Sequence, residues 1–423
     1  METSRPSFRT ALAYWARLGW INFGGPAGQI ALLHRDLVER RRWVDEPRFL
    51  HALNFCMLLP GPEAKQLAIY LGWLLHGTAG ALAAGLGFVL PSILLLWALA
   101  WLYAAHGEVP AVAAALAGIQ PVVVAIVLEA VVRIGRRAFR HPLHTLFAGA
   151  AFLGLLLLSV PFPAIVGAAA IAGAVCVRFA ARFAPDAPAA QAGTLPVVGA
   201  GHRPWPWRPL AAGTALWAAG LALVTLARPA VPVLAELYGF FTRAAFVTFG
   251  GAYAVLAYVA QVAVGRFAWL APEAMLDGLA LAETTPGPLI IVLEFVGFQA
   301  GWNHPGAWSP LAAATAGAAA TAWVTFLPSF VFILVGAPYV DRLRGRRWLA
   351  GALAGVTAAV VGVIFHLGFV FGRQVLFDDG RIDLMAGALA VAALVALVRF
   401  EVKVPWLVVA GAGSGLLALA FGS

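Results

Sequence analysis

The chain has 423 residues, is 62% hydrophobic and 11% charged, and carries a formal net charge of +9. Soluble domains hold roughly 25% charged residues, so this composition and a mean hydropathy of +0.88 exclude a sizeable water-soluble domain. The positive charge does not point to nucleic acid, because most arginines stand in short loops between apolar runs, where they act as topology signals.

Along the chain, Arg5 and Arg9 flank a long first span that contains Arg17. No small-residue cleavage pattern follows, so a cleavable signal is not expected. Phe23-Gly24-Gly25 interrupts that span, a cluster of Arg35, Arg40, Arg41, Arg42 and Arg48 comes next, and Pro60-Gly61-Pro62 breaks the following apolar segment. The runs Ala79–Tyr103, Thr145–Val177, Pro209–Ala227 and Ser309–Val340 contain no Asp, Glu, Lys or Arg. Each is long enough to cross a bilayer, which takes about 20 residues. The stretch Arg178–Arg208, rich in Pro, Ala and Gly, reads as a linker. Cys56 and Cys176 lie far apart in apolar segments and the histidines lack metal-ligand spacing, so no disulfide, metal or cofactor is expected.

The strongest signal is an internal repeat. Arg17, Phe23-Gly24-Gly25, Trp43 and Pro60-Gly61-Pro62 recur as Arg243, Phe249-Gly250-Gly251, Trp269 and Pro286-Gly287-Pro288, each 226 positions later (249 − 23 = 226). Further on the offset is 237, matching Pro91-Ser92 to Pro328-Ser329 and Gly118 to Gly355 (355 − 118 = 237). The expected domains are a first repeat over 1–181, a linker over 182–208, an additional apolar segment over 209–230 and a second repeat over 231–423.

Charge predicts that the repeats are inverted. The arginine-rich loop between the FGG and PGP elements has a counterpart holding only Arg266, whereas the loop Ala104–Pro110, which carries no Lys or Arg, corresponds to one with Arg342, Arg344, Arg346 and Arg347. Arg133, Arg136, Arg137 and Arg140 then correspond to mixed charge around Asp378–Asp383. Cytoplasmic loops carry the excess of Lys and Arg, and inverted repeats recur in transporters. Residues 49–75 and 273–300 are too short for two crossings each and read as re-entrant hairpins with the PGP at the tip. Inversion requires an even number of crossings among the segments near 145–160, 163–181 and 209–227, so at least one is expected not to span. The fold class is an all-α polytopic membrane protein with an inverted-topology repeat, broken helices and re-entrant PGP hairpins.

A Pro-Gly-Pro break ends one helix and starts another, whose free N–H groups and positive dipole end suit an anion. Gly and Pro are also common in transmembrane helices that bind nothing, but breaks repeated in inverted copies favour a site. The substrate-binding candidates are Arg17, Asn22, Gly24, Gly25, Gly61, Pro62, Glu63, Lys65 and Gln66 in the first half. In the second they are Arg243, Thr248, Gly250, Gly251, Glu283, Thr284, Thr285 and Gly287. Cations at membrane depth are costly and mark pathways, although Arg17 and Arg243 have the alternative of snorkelling to an interface. Glu129 and His366 occupy equivalent positions (366 − 129 = 237) and are candidates for a proton relay, with a charge near a helix end and a packed histidine as the plainer readings. No catalytic constellation is present, so an enzyme is not expected.

Two strings carry a family resemblance: Phe23-Gly24-Gly25-Pro26-Ala27-Gly28-Gln29 and Leu59-Pro60-Gly61-Pro62-Glu63-Ala64-Lys65-Gln66-Leu67-Ala68-Ile69-Tyr70-Leu71-Gly72-Trp73. Phe249-Gly250-Gly251-Ala252-Tyr253 and Glu283-Thr284-Thr285-Pro286-Gly287-Pro288 continue it in the second half. The chain resembles the chromate ion transporter family in its long two-domain form; it departs at Lys65, where a Gln is expected. The resemblance implies efflux of chromate across the bacterial cytoplasmic (inner) membrane, and with it chromate resistance. The partners implied are the lipid bilayer and chromate or a related oxyanion such as sulfate; a homodimer is compatible with this reading. The alternatives are a carrier for another oxyanion and an integral membrane enzyme. No ATP-binding signature occurs, which favours a secondary carrier.

Overall fold

The computed structural model describes residues 6–180, 183, 207–249, 251–337, 347–378 and 381–421. Gly250, Arg5, Arg342, Arg344, Arg346 and nearly all of the expected linker lie outside the described residues. The chain is all-α apart from a two-stranded turn pairing Phe377–Asp378 with Arg381–Ile382.

The helices are α1 (Phe8–Ile21), α2 (Gly25–His34), α3 (Glu46–Cys56), α4 (Glu63–His106), α5 (Pro110–Ala138), α6 (Pro142–Leu158), α7 (Phe162–Phe179) and α8 (Trp207–Ala227). They continue as α9 (Val233–Val247), α10 (Ala252–Ala260), α11 (Pro272–Thr284), α12 (Val292–Asn303), α13 (Pro310–Gly336), α14 (Arg347–Leu376), α15 (Leu384–Phe400) and α16 (Val404–Phe421). Seven of these, α4, α5, α7, α8, α13, α14 and α16, are long and apolar enough to cross a membrane among the described residues. The chain is a polytopic membrane protein.

Local chemistry sets the helix starts. Ser7, Asp45, Ser309 and Asp383 each accept a first-turn backbone N–H in their side chain, satisfying a donor that the helix leaves unpaired. Proline opens α5, α6 and α13, where its missing N–H costs nothing. α4 is interrupted at His76 (φ −140°) and Gly77 (φ 60°).

Element boundaries repeat with the sequence. α2 and α10 each run into a π-turn, Arg35–Arg40 and Gln261–Arg266, at the same offset (261 − 35 = 226). α3 and α11 start 226 apart, α5 and α14 start 237 apart, and α6 and α7 match α15 and α16 at both ends with an offset of 242 (384 − 142 = 242). Even left-handed residues recur: Arg42 (φ 51°) with Ala268 (φ 49°), and Ser159 (φ 49°) with Glu401 (φ 51°).

The chain forms two compact units, each built from both sequence halves. One comprises Met1–Ala98, Pro188–Ala252 and Thr285–Gly345; the other Leu99–Ala187, Tyr253–Thr284 and Arg346–Ser423. In the second unit, α5 packs on α15 and α16, and α14 packs on α6 and α7. A Cβ on Gly118 of α5 would collide with the backbone of Gly411 and Gly415, and one on Gly355 of α14 with that of Ala169 and Gly173. Small residues permit this backbone approach, which drives helix association where lipid offers no hydrophobic gain. In the first unit, α13 packs along α12, α9 and α8.

Candidate functional site

The helix breaks of both halves meet in the first unit. After α3, the chain turns at Pro60-Gly61-Pro62 and α4 starts at Glu63. Gly61 takes φ 120°, and Gly287, its counterpart (287 − 61 = 226), takes φ 124°; such angles are open essentially only to glycine. The two tips are joined reciprocally. The Gly61 N–H donates to the Thr248 carbonyl at 2.8 Å, and the Gly287 N–H donates to the Asn22 carbonyl at 3.3 Å. Asn22 and Thr248 are themselves equivalent (248 − 22 = 226), so each PGP tip is held by the FGG break of the other half.

The repeated Pro-Ser pairs complete the arrangement. A Cβ on Gly61 would lie 3.3 Å from Ser329 Oγ, and one on Gly287 would lie 2.5 Å from Ser92 Cβ. Gln29, buried, ties the second tip further: its Nε2 donates to the Asn22 carbonyl at 2.9 Å and to the Gly287 carbonyl at 2.6 Å. Gln66 Nε2 donates to the Pro60 carbonyl at 2.7 Å and Asn22 Nδ2 to the Phe88 carbonyl at 3.3 Å. Both amide oxygens, Asn22 Oδ1 and Gln66 Oε1, are buried without a hydrogen-bond partner.

Lys65 is fully buried within the first turn of α4. Its Nζ donates to the Phe326 carbonyl at 2.8 Å and lies 4.3 Å and 4.5 Å from the ring centroids of Phe326 and Phe330. This is a cation–π clamp on the α13 segment that carries Pro328-Ser329. Glu63 is half-buried beside Gly251 (φ 97°), where a Cβ would stand 4.0 Å from its Oε1. Gly24 and Gly25 take φ 95° and 65°. The Thr248 hydroxyl donates to the Ala244 carbonyl and that of Thr284 to the Leu281 carbonyl, both within their own helices. Thr285 is buried.

Other sequence candidates fall elsewhere. Arg17 and Arg243 are exposed, whereas Trp15 and Leu18 on the one helix and Phe241, Ala244 and Ala245 on the other are buried, and Arg243 Nε donates back to the Gly239 carbonyl. In the second unit, the Tyr253 hydroxyl donates to Glu283 Oε1, and Arg133 Nε donates to both carboxylate oxygens of Glu129 at 3.0 Å and 3.2 Å. His366 lines a small cavity with Phe162, Tyr258 and Gln261. Sequence reasoning did not single out Gln29, Ser92 and Ser329 as site residues, although Gln29 lies within a motif string and the serines within a repeated Pro-Ser. It also passed over Asp277, buried and held by Tyr103 and Gln120 at 3.1 Å each, and Glu294, buried on α12. No group of three His, Cys, Asp or Glu residues suited to a metal occurs among the described residues.

Two linked helix N-termini, backbone N–H groups freed by Pro-Gly-Pro, and one buried ammonium can receive an anion; nothing in the cluster activates a nucleophile. Comparison with known proteins follows the same lines. No solved structure matches the fold. The chain is 35% identical to a chromate transport protein of Pseudomonas aeruginosa over 85% of this chain and 79% of that one. It is 29% identical to a chromate transport protein of Cupriavidus metallidurans over 97% and 93%. An uncharacterized transporter of Bacillus subtilis is 33% identical over 36% of this chain and 79% of its own. The profile described as chromate transporter matches residues 10–174 and 235–416, both halves in turn, and the chain therefore belongs to the chromate transporter family, whose members are transporters and not enzymes.

Proposed function

We propose that this protein is a secondary carrier that exports chromate across the bacterial inner membrane and so confers chromate resistance. The observation that carries the reading is the reciprocal pair Gly61 N–H to Thr248 carbonyl and Gly287 N–H to Asn22 carbonyl. It supports a single site at which the tips of both halves converge. The tetrahedral dianion is held there by backbone N–H groups after Pro62 and Pro288, by Lys65 and Gln66, and by glycines that let it approach the backbone. The outward faces of Arg17 and Arg243 supply attraction along its path.

The architecture is an inverted repeat, residues 1–181 and 231–423, with residues 182–208 as linker and the 209–230 segment as the connecting span. Helix boundaries offset by 226, 237 and 242 support it. Contacts at one end of the first hairpins support a further point. Tyr14 meets Trp43 at 5.5 Å, Arg41 lies over Tyr14 at 4.9 Å, His34 meets Glu46, and His76 Nε2 lies 3.0 Å from the Pro6 carbonyl. Residues 6, 43, 46 and 76 are thus on one side, so both α1–α2 and α3–α4 turn back at their breaks. The FGG element is a second re-entrant hairpin and not a crossing. With that change the reading takes α6, whose 17 residues are at the short limit for a span, to cross together with α7 and α8, and an odd number of crossings between the halves is what inversion requires.

Export agrees with the electrical gradient: a dianion leaving a negative interior gains about 4.6 kcal/mol per 100 mV. A specific alternative cargo is sulfate, also a tetrahedral dianion, which the same donors would accept. Expression in a bacterium lacking such carriers tests the reading. Lowered accumulation of labelled chromate, reversed by uncoupling the membrane, is expected. Unchanged chromate with altered sulfate accumulation would move the cargo to sulfate.

A further inference from the structure

The helix leaving the second tip holds a carboxyl that the anion site does not use. Glu294 is 2% exposed and its Oε2 has no hydrogen-bond partner. It stands six residues past Pro288 (294 − 288 = 6), about 9 Å along a helix. α12 and α13 run antiparallel, with Gly301 against Ala313 and Gly297 against Gly317 and the Thr321 side chain. Glu294 precedes Gly297 by three residues, so the same register places it between the levels of Thr321 and Thr325 on α13. The Oγ1 atoms of Thr321 and Thr325 are buried and also lack partners. Three unpartnered oxygens therefore lie along one helix interface of the first unit.

The surroundings are otherwise neutral. α13 has no Asp, Glu, Lys, Arg or His, and the turn Leu289–Ile291 has none. α9 brings Glu236, the exposed Arg243, and Tyr238, whose hydroxyl donates to the Trp217 carbonyl. From α4, Lys65 donates to the Phe326 carbonyl, adjacent in sequence to Thr325. The equivalent position in the first half is Ala68 (294 − 226 = 68), so there is one such carboxyl per chain.

We propose that Glu294 carries a proton through the transport cycle, and that proton and oxyanion bind together and cross in the same direction. The inference rests on the carrier reading above. Each threonine hydroxyl has one donor and two lone pairs and rotates freely. The pair can donate to a carboxylate or accept from a carboxylic acid once the side chains turn toward one another, so the interface holds a partner for either state. Three oxygens with a single charge fall short of the six or more that a hard divalent cation takes. A carboxylate repels a dianion about a helix turn or two away, strongly at low dielectric. Anion binding therefore favours the protonated form, and by reciprocity the protonated form favours the anion.

Two measurements on the full-length protein test this. Infrared difference spectra of wild type in lipid, titrated with pH and then with chromate or sulfate, should contain a protonated-carboxyl band that chromate strengthens. Glu294→Gln should remove it and Thr325→Val should shift it. In liposomes with the potential clamped at zero, a pH gradient of one unit should drive about tenfold chromate accumulation on the alkaline side for one proton per anion, and Glu294→Gln should abolish that accumulation. A band that survives Glu294→Gln, or wild-type accumulation in that variant, overturns the proposal. If Glu294→Gln fails to fold, an unshifted band in Thr325→Val overturns it instead. Because the pH-titrated band needs no cargo, wild type that carries neither chromate nor sulfate would sink the carrier reading while the band still decides the role of Glu294.

Discussion

Single residues at the tips separate structure from recognition. Gly61 and Gly287 combine φ near 120° with a serine against the α-carbon. Gly61→Ala and Gly287→Ala each should cost about 1–3 kcal/mol, read as a lowered thermal unfolding midpoint in detergent; an unchanged midpoint in both would mean that the tips tolerate a side chain. Lys65 behaves differently. Its ammonium is buried on a carbonyl and two rings, and replacing a buried charge by an apolar side chain of similar length is often neutral or stabilising. Lys65→Met should keep the unfolding midpoint and lose transport at least about tenfold, roughly 1.4 kcal/mol of anion binding. Transport at the wild-type level would make Lys65 a packing residue. The sequence marked Lys65, Gly61 and Gly287 because a charge and two helix breakers stand out in apolar surroundings. Glu294 and Gln29 were hidden because no break or repeat partner flags them; their importance lies in which backbone they face.

At the scale of elements, glycine contacts and hairpins make separate predictions. Gly118→Leu or Gly355→Leu would push α5 from α16 or α14 from α7, where backbones now touch. Each should lower the unfolding midpoint by more than the same change at Gly149, which has open space around its α-carbon; equal effects would contradict the packing account. The re-entrant reading is tested by thiol labelling in intact cells, with Cys56 and Cys176 replaced. Arg42→Cys should label only from the cytoplasm and Ala268→Cys only from outside, and labelling from one common side would end the inverted arrangement. The PGP breaks and the long apolar spans were legible from composition and punctuation alone. The turn-back proposed for α1 and α2 was not, because an FGG in an apolar run looks the same whether the chain bends through it or reverses at it. That proposal rests on the meeting of Tyr14 with Trp43 and of Pro6 with His76.

For the whole molecule, two halves of one plan surround an asymmetric set of charges. Lys65 matches Ile291, Glu294 matches Ala68, and Glu63 matches Leu289, so the frame is repeated but the chemistry is not. That frame was readable from the offset motifs; the division into two units that each draw on both halves was not, since it depends on α5 pairing with α15 and α16 while α14 pairs with α6 and α7. The central claim is that this frame moves an oxyanion through the joined tips along the electrical gradient. The most direct test is labelled chromate flux into liposomes of purified protein at an imposed 100 mV and equal pH. Saturable accumulation on the positive side is expected, about fiftyfold for a dianion travelling with one proton and about 2,500-fold for a bare dianion. Flux that is absent, or indifferent to the sign of the potential, would contradict the account.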